Sequence, residues 1–449
     1  MSEVKNQYIA EFQTFEKNGA SKAPPWIHGV RKNALTVFNE LGFPTTRQED
    51  WKYTNISPIA KGLFKYSSKP ATIESEAIRN FLIDGVDQFV MTFVNGHFVA
   101  GHSQTDGIST GVVMKNLVGA YTEHGDVIKQ HLSKYVNHRK NPFTAWNTAF
   151  INDGAFVHVP ANVVIDKPIH LLFVSTKGSS DRIASHIRNL IVVEEGAKVN
   201  LVVSYGSIGQ HTDLTNAVTE IVAMKHSVVE VVKVQTESES GYHVENLHAL
   251  QHEISDVRLF SLAIGGAIVR NDMSVIIDGE AAECNLNGLY IATGEQLIDH
   301  HTFMHHIHPN CPSHELFKGI LTDNARAVFN GKVYVEPEAQ KTDSKQTNRN
   351  LLLSDTAIVD TKPELEIFAD DVKCTHGAAV GGMNESHSLY LKTRGITTES
   401  AKGILTVGFA AEATAKIVHP ALRRHVDLLV VEHLRDKLHS ANLPDIVHA

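Results

Sequence analysis

The stretch Ala197-Lys198-Val199-Asn200-Leu201-Val202-Val203 places small or aliphatic residues at every second position. Alternation with a period of two is typical of a β-strand that buries one face. The same pattern recurs in five later runs, which begin at Ser227, Ser255, Ala282, Ala325 and Ala357. We therefore predict that the middle of the chain consists of short β-strands.

The spacing of these runs is nearly constant, because their first residues are separated by 30, 28, 27, 43 and 32 positions. A second strand-like segment lies between most of them, at residues 217–224, 246–252, 273–277 and 350–353. A small residue that opens each run after a polar turn, repeated at a near-fixed period, is what a stacked coil of strands requires. We predict a parallel β-helix with about two strands per rung. A β-sandwich is the structural alternative, since short alternating strands also suit that fold.

The two ends of the chain have a helical period instead. It appears at residues 3–18, 26–41 and about 126–137. Pro24 and Pro25 interrupt the first pair of these segments, and Gly42 is expected to end the second helix. We predict a mainly helical domain at 1–148, the β-helix at 149–392 and a helical domain at 393–449.

The C-terminal domain is predicted to contain two helices. Thr397 and Thr398 are candidate N-caps for the first helix, and Pro420 is expected to begin the second. Ile404, Leu405, Gly408 and Phe409 recur at helical spacing. Glycine in a helix costs about 1 kcal/mol relative to alanine, so this helix is expected to pack closely against another surface.

Composition excludes several functional classes. The 449 residues include 41 Lys and Arg against 50 Asp and Glu, a net charge of −9, and no basic run suits a nucleic-acid backbone. No apolar run approaches the ~20 residues that span a bilayer. Three cysteines argue against a disulfide framework, and the N-terminus lacks a signal-peptide pattern, so we expect a cytoplasmic protein. There is also no G-x-x-x-x-G-K-[ST] phosphate loop, so ATP would have to be bound by a partner.

The most informative candidate site is Cys374-Thr375-His376. Side chains at positions i and i+2 of a strand share one face, so Cys374 and His376 are expected to point the same way. Thiolate sulfur and neutral imidazole are both good iron ligands. Two ligands do not close a four-coordinate site, so a second chain would have to complete it. Packing is the alternative role, because cysteine is often buried; we assign Cys284 to the core for that reason.

A second candidate metal site has the spacing His305-x-x-His308-x-x-Cys311-x-x-His314. Three-residue spacing converges only on a helix, and Pro309 and Pro312 forbid a helix there. Zinc binding would require the turn to gather the four side chains. We expect them instead to lie on different faces, with no tightly held metal in the isolated chain.

Six segments resemble one known family in consistent order. They are Arg47-Gln48-Glu49-Asp50-Trp51-Lys52-Tyr53-Thr54, the run AWNTAFINDG at 145–154, SHELFKG at 313–319, CTHGA at 374–378, Arg394-Gly395-Ile396 and Gly408-Phe409-Ala410. In these segments, between about residues 30 and 435, the chain resembles the SufB/SufD family of iron–sulfur cluster assembly scaffolds. It resembles the SufD branch in particular, since the N-terminal cysteine cluster of SufB-type chains is missing.

The resemblance implies a non-catalytic scaffold built on a right-handed parallel β-helix between helical regions. It implies pairing with SufB through the β-helix, docking of the ATPase SufC on the C-terminal helices, and a transient Fe–S cluster at the SufB interface. His376 matches the histidine of that interface, with Cys374 beside it. For SufC we predict a docking surface formed by Leu405, Gly408 and Phe409.

A β-helix enzyme acting on polysaccharides is the alternative function. It would need carboxylates gathered in a groove, and the candidates are Asp278, Glu280, Glu283, Asp299 and Glu315. The sequence leaves open whether the chain forms a homodimer when alone, which molecules donate sulfur and iron, and whether a flavin participates.

Overall fold

The structure is a computed structural model that describes residues 2–18, 23–177 and 182–437. Its β-strands form two sheets, and helices cover the outer faces of both. The described helices of the N-terminal region are α1 (Ser2–Asn18), α2 (Pro25–Leu41), α3 (Ser57–Ala60), α4 (Ser75–Arg79), α5 (Leu117–His131) and α6 (Pro142–Ala149). The described strands of that region are β1 (Lys65–Tyr66), β2 (Phe89–Val94), β3 (His97–Phe98) and β4 (Val113–Asn116).

The remaining strands alternate between the two sheets. They are β5 (Ala155–Val159), β6 (Ile169–Thr176), β7 (Ile183–Val193), β8 (Lys198–Ile208), β9 (Leu214–Ala223), β10 (Val228–Glu237), β11 (Tyr242–Gln251), β12 (Asp256–Gly265), β13 (Ile268–Ile277), β14 (Glu283–Ala292), β15 (Leu297–His306), β16 (Pro312–Leu321), β17 (Arg326–Val335), β18 (Asp343–Leu352), β19 (Ile358–Ile367) and β20 (Lys373–Gly381). The odd sheet runs β4-β5-β7 and onward to β19, with β1 attached to β7. The even sheet runs β3-β2-β6-β8 and onward to β20.

Each rung therefore contributes one strand to each sheet, and successive rungs pair in parallel. The predicted parallel β-helix is confirmed, and the β-sandwich alternative is wrong because sandwich sheets are antiparallel. Sheet assignment also explains the irregular gap of 43 residues. The runs at Ala197, Ser227, Ser255 and Ala282 enter the even sheet, whereas those at Ala325 and Ala357 enter the odd sheet half a rung later.

The N-terminal helices pack on the outer face of the odd sheet. Trp146 of α6 is 1% exposed and lies 4.6 Å from Tyr8 and 5.7 Å from Phe38 in ring-centroid distance. These rings form one cluster with outward side chains of the odd sheet such as Val244. Gly42 takes a left-handed φ of 64° where α2 ends, and its N–H bonds to the carbonyl of Phe38.

Helices at 3–18 and 26–41 are confirmed, while the segment predicted at 126–137 belongs to α5, which ends at His131. Helix α6 and the four short strands were not predicted. Since β1 to β4 all join the two sheets, the region 1–148 contributes strands to the β-helix as well as helices. The three domain boundaries stay predictions.

The C-terminal helices are α7 (Glu385–Thr393), α8 (Thr398–Thr414) and α9 (Pro420–Lys437). Thr397 is the N-cap of α8, since its Oγ1 accepts a hydrogen bond from the Ser400 N–H at 3.2 Å. Helices α8 and α9 bury aliphatic side chains against the outer face of the even sheet, as Val407 does with Leu289 and Ile320. Helix α7 falls inside the range predicted for the β-helix. None of the described helices is both long and apolar enough to span a bilayer.

Candidate functional site

The last rung of the β-helix leaves two strand edges without a partner in the described structure. Strand β20 pairs with β18 alone, and β19 pairs with β17 alone. Nearly every residue of β20 is exposed, whereas the strands of the inner rungs are almost wholly buried. We call β19 and β20 the open end of the β-helix.

Cys374 and His376 lie on the open end, in strand β20, and point to the same face as their spacing predicts. Their register partners in β18 are Ser344 and Gln346, both buried inside the β-helix. Cys374 packs at the edge of the apolar core, and burial raises the pKa of its thiol. His376 is exposed. The structure therefore holds Cys374 half-buried and presents the His376 imidazole to solvent.

A column of inward-facing residues leads through the even sheet to His376. In register it reads Leu201, Val231, Leu259, Leu286, Glu315, Gln346 and His376. The column is aliphatic over four rungs and polar over the last three. Stacked rungs are about 4.8 Å apart, so successive residues of the column are neighbours.

Glu315 is fully enclosed inside the β-helix. Burial raises the pKa of its carboxyl to about 7. The Nε2 of Gln346 donates to Glu315 Oε2 at 2.8 Å. The buried thiol of Cys284 lies one rung below on the same sheet, and its pKa is raised by burial and then by the charge of Glu315. His306 Nε2 lies 2.9 Å from Ser313 Oγ, two residues before Glu315 in the chain. Burial of Cys284 in the core is confirmed.

Deeper in the β-helix lies a buried charge cluster that the sequence did not reveal. Lys233 pairs with Glu245, and its Nζ lies 3.1 Å from His243 Nε2. Glu237 Oε2 lies 2.8 Å from His243 Nδ1, and the Tyr205 hydroxyl donates to Glu245 Oε1 at 3.0 Å. Burial alone would raise the pKa of the Glu245 carboxyl, but Lys233 and His243 lower it to about 2. In the sequence, this cluster is indicated only by the positions of Lys233 and Glu245, whose side chains point into the β-helix according to the strand alternation. The rule that polar side chains point outward overlooks it.

The second candidate metal site is not assembled in the described structure. His305 Nε2 lies 3.0 Å from Glu336, and His308 Nε2 lies 3.1 Å from Asp278. The Cys311 thiol is buried and donates to the carbonyl of Gly279 at 3.2 Å. His314 is exposed on the outward face of β16. Among the described residues no three His, Cys, Asp or Glu side chains converge as a metal site.

The acidic residues proposed for a polysaccharide enzyme do not converge either. Asp299 is fully buried and pairs with Arg270 at 2.6 Å on the outer side of the odd sheet. Glu315 points inward, whereas Glu283 is exposed and accepts from Asn285 at 3.0 Å. Asp278 and Glu280 lie at a turn between strands, where Asp278 meets His308 and Glu280 accepts from Asn310. Asp278 and Glu280 line one surface groove together with Glu253, but Asp299, Glu283 and Glu315 are not among the described residues of that groove.

The three residues predicted to bind an ATPase have different surroundings on α8. Leu405 and Phe409 are half-buried and line a groove of about 340 Å³ between α8 and strands β18 and β20. The Lys318 ammonium lies 3.8 Å from the centre of the Phe409 ring. Gly408 is exposed, and a Cβ added there would meet nothing within 4 Å. Phe409 thus packs on the sheet, while Gly408 faces open solvent.

Comparison with known proteins identifies the family. Residues 173–409 match the family model described as SUF system FeS cluster assembly, SufBD core domain, and residues 2–171 match the SufBD protein N-terminal region. A Synechocystis protein named as an iron–sulfur cluster assembly SufBD family protein is 30% identical over 395 residues, 86% of either chain.

Two similar proteins carry the name iron–sulfur cluster assembly protein SufD. The one from Escherichia coli is 28% identical over 414 residues, 92% of this chain and 93% of its own length. The one from Bacillus subtilis is 28% identical over 420 residues, 91% of this chain and 93% of its own. With two family models that together span residues 2–409, the chain belongs to the SufBD family of iron–sulfur cluster assembly proteins.

Proposed function

We propose that this chain is a SufD-type, non-catalytic scaffold subunit that works in the cytoplasm with SufB and the ATPase SufC to build and transfer a transient Fe–S cluster. The observation that carries the proposal is the placement of His376. His376 is an exposed histidine, a residue type that binds iron, and it lies on the last strand of the β-helix beside the half-buried Cys374.

The chemistry of the pair supports an incomplete site. Imidazole binds iron as the neutral base, and thiolate sulfur suits Fe–S clusters. Burial raises the pKa of Cys374, so its thiol stays protonated and is the weaker ligand of the two. The cluster, as the cargo of this scaffold, would take its other ligands from SufB. We therefore expect substitution of His376 to lower the cluster content more than substitution of Cys374.

The open end supports pairing with another β-helix. Strand edges that lack partners offer rows of N–H and C=O groups to an incoming strand. Exposed apolar side chains flank those edges; they are Ile358, Ile367, Phe368 and Val380. Val380 of β20 is 44% exposed and Ile358 of β19 is 54% exposed, which is unusual for strands of a core sheet. SufB, as the related subunit, is the proposed partner.

The proposed SufC surface is the solvent side of α8 and α9. Gly408 supports it, because a glycine in the middle of an exposed helix face lets another backbone approach closely. Leu405 and Phe409 flank Gly408 and expose part of their apolar surface. Glu412, one turn further, is fixed by Lys318 and by Arg349 at 3.1 Å, and would lie at the rim.

Coexpression with SufB and SufC tests the cluster site. His376→Ala should lower the cluster content of the purified complex at least tenfold, since an iron ligand is lost, while the chain's thermal midpoint stays within about 2 °C, as for an exposed residue. Cys374→Ala should have a milder effect. His314→Ala is the matched control, because His314 is an exposed histidine on a strand of the same sheet.

A His376→Ala complex that carries as much cluster as the control would overturn the assignment. Failure of that variant to accumulate as folded protein would show that His376 has a packing role instead.

Gly408→Arg tests the SufC surface. Nothing lies within 4 Å of an added Cβ, so the fold should be kept while the long side chain blocks close approach. We expect at least tenfold weaker binding of SufC, measured by titration calorimetry. Gly377→Arg is the control, since Gly377 is equally open but lies on β20. Unchanged affinity in Gly408→Arg would reject this surface.

A further inference from the structure

The side chain directly beneath His376 is Gln346, and it is held in a defined place. Gln346 is 1% exposed and lies between Glu315 and His376 in the register of the even sheet. Gly331 of β17 makes room for it, because a Cβ at that position would lie 2.8 Å from Gln346 Cδ and would collide with Nε2. A larger residue at position 331 would displace the amide.

The orientation of the Gln346 amide follows from Glu315. The amide turns its NH₂ group toward Glu315, because Gln346 Nε2 donates to Glu315 Oε2 at 2.8 Å. The amide oxygen is consequently directed away from Glu315. In the described structure Gln346 Oε1 is buried and accepts no hydrogen bond. A buried acceptor without a hydrogen bond is unfavourable, so a donor that comes within reach of Oε1 would be bound favourably.

His376 is the register neighbour of Gln346 on the side away from Glu315, and a strand spacing of about 4.8 Å is within reach of a glutamine side chain. We propose that Gln346 is a positioning residue for His376: Oε1 accepts the N–H of one imidazole nitrogen, so that the other nitrogen is presented to iron, while Glu315 fixes the amide in the orientation that makes this bond.

The chemical reason is that the two nitrogens of neutral imidazole have opposite roles. The one that carries the proton donates, and only the other can bind a metal. Histidine ligands commonly donate their second N–H to a carbonyl or carboxylate, which fixes the tautomer, and loss of that partner typically costs 10–100-fold in metal affinity. Gln346 would supply such a carbonyl from inside the β-helix. This inference rests on the proposed role of His376.

Three variants of the chain, in the complex with SufB and SufC, test the proposal. Gln346→Met keeps the volume but removes the acceptor, and should lower cluster content about tenfold or more. Glu315→Gln removes the group that orients the amide and should have a smaller effect of the same kind. In the double variant Glu315→Gln/Gln346→Glu the two groups are exchanged, so that the amide at position 315 is the donor and the carboxylate at position 346 is the acceptor for His376. This exchanged pair should recover most of the cluster content.

The readout beyond cluster content is pulsed EPR of the reduced complex with ¹⁵N-histidine in this chain. The wild type should show one coupled nitrogen that is lost in His376→Ala, weakened in Gln346→Met and regained in the exchanged pair. Thermal unfolding of each isolated chain shows whether the fold is kept.

The outcomes separate the two proposals. If His376→Ala leaves both cluster and nitrogen coupling intact, the proposed role of His376 fails. If His376→Ala abolishes both but Gln346→Met stays within twofold of wild type, only the positioning role fails. A folded exchanged pair as defective as Gln346→Met would overturn the orientation by Glu315.

Discussion

The two ends of the β-helix differ in strand pairing and in environment. Antiparallel strands close the N-terminal end, where β3 pairs with β2 and β4 pairs with β5, whereas β19 and β20 make only parallel pairs. At the N-terminal end all six residues of β2 are buried, and β3, β4 and α5 pack around the first rungs. At the open end almost all of β20 is exposed, and no described strand continues either sheet. An exposed sheet edge risks aggregation, and the open end is the one to which our proposal assigns a partner.

The largest effect is expected at the covered N-terminal region. Trp146→Ala removes a side chain that touches Tyr8, Phe38 and Phe43, and should lower the free energy of unfolding by about 3–5 kcal/mol. Urea denaturation followed by circular dichroism measures the change. A loss below about 1 kcal/mol would mean that the N-terminal helices are not tightly held on the odd sheet.

The next largest effect concerns the ion pair that fixes the same region to the odd sheet. Asp299 pairs with Arg270 and accepts a hydrogen bond from Thr54. Burial alone would raise the pKa of the Asp299 carboxyl, but Arg270 and His301 hold it well below its usual value. Asp299→Asn should cost about 3–4 kcal/mol at pH 7.

The sign of the pH dependence follows from the direction of this shift. A depressed carboxylate pKa stabilises the fold above the unfolded-state value of about 4, and that contribution is lost as the pH falls further. The difference between Asp299→Asn and wild type should therefore shrink below about pH 4. A difference that is independent of pH would contradict the charge pair as its cause.

Glu315, near the open end, should behave in the opposite way. Burial raises its pKa to about 7, so the native state keeps the proton that the unfolded state releases above about pH 4. The wild type therefore loses stability as the pH rises from about 4 through 7, by at most about 4 kcal/mol, and the loss levels off about one pH unit above 7. Glu315→Gln should remove this dependence. Urea midpoints at pH 5 and 8 measure it, with Glu283→Gln, an exposed site, as the control.

The smallest effect is expected on the surface of the open end. Val380→Ser should change the free energy of unfolding of the isolated chain by less than about 0.5 kcal/mol, because the side chain is already 44% exposed. The same change should weaken binding to SufB measurably by titration calorimetry. A stability loss above about 1 kcal/mol would show that Val380 is packed, and the contrast between the two ends would fail.

The fold could be predicted because the sequence shows two periodicities, the alternation of residues within each strand and the regular spacing of the strands along the chain. Alternation as in Val199 and Leu201 indicates strands, and a near-constant spacing of about 28–30 residues indicates rungs. Assignment of strands to sheets was not visible, since a small residue such as Ala325 opens an odd-sheet strand in the same way as Ala282 opens an even-sheet strand. Helix α6 was not predicted; it is short, and all eight of its residues are buried, so it has no exposed polar face.

The candidate site was predictable only in part. The shared face of Cys374 and His376 follows from their spacing, but their role came from the family resemblance. The sequence does not indicate that Glu315 and Gln346 are neighbours, because their closeness depends on a register of 31 positions between strands. Inward polar residues such as Lys233 contradict the rule that places polar side chains outside, so only their position in the strand alternation indicates them.

The C-terminal helices have a consequence for how the protein is made. Each rung needs only the rung synthesised before it, so the β-helix can assemble in step with translation. The outer face of the even sheet, with Val232, Leu262 and Ile320, is covered by residues of α8 and α9 that are synthesised near the end of the chain. On the ribosome this apolar stripe is expected to stay uncovered until synthesis is nearly complete, so the unfinished chain should be more prone to aggregation than the finished one.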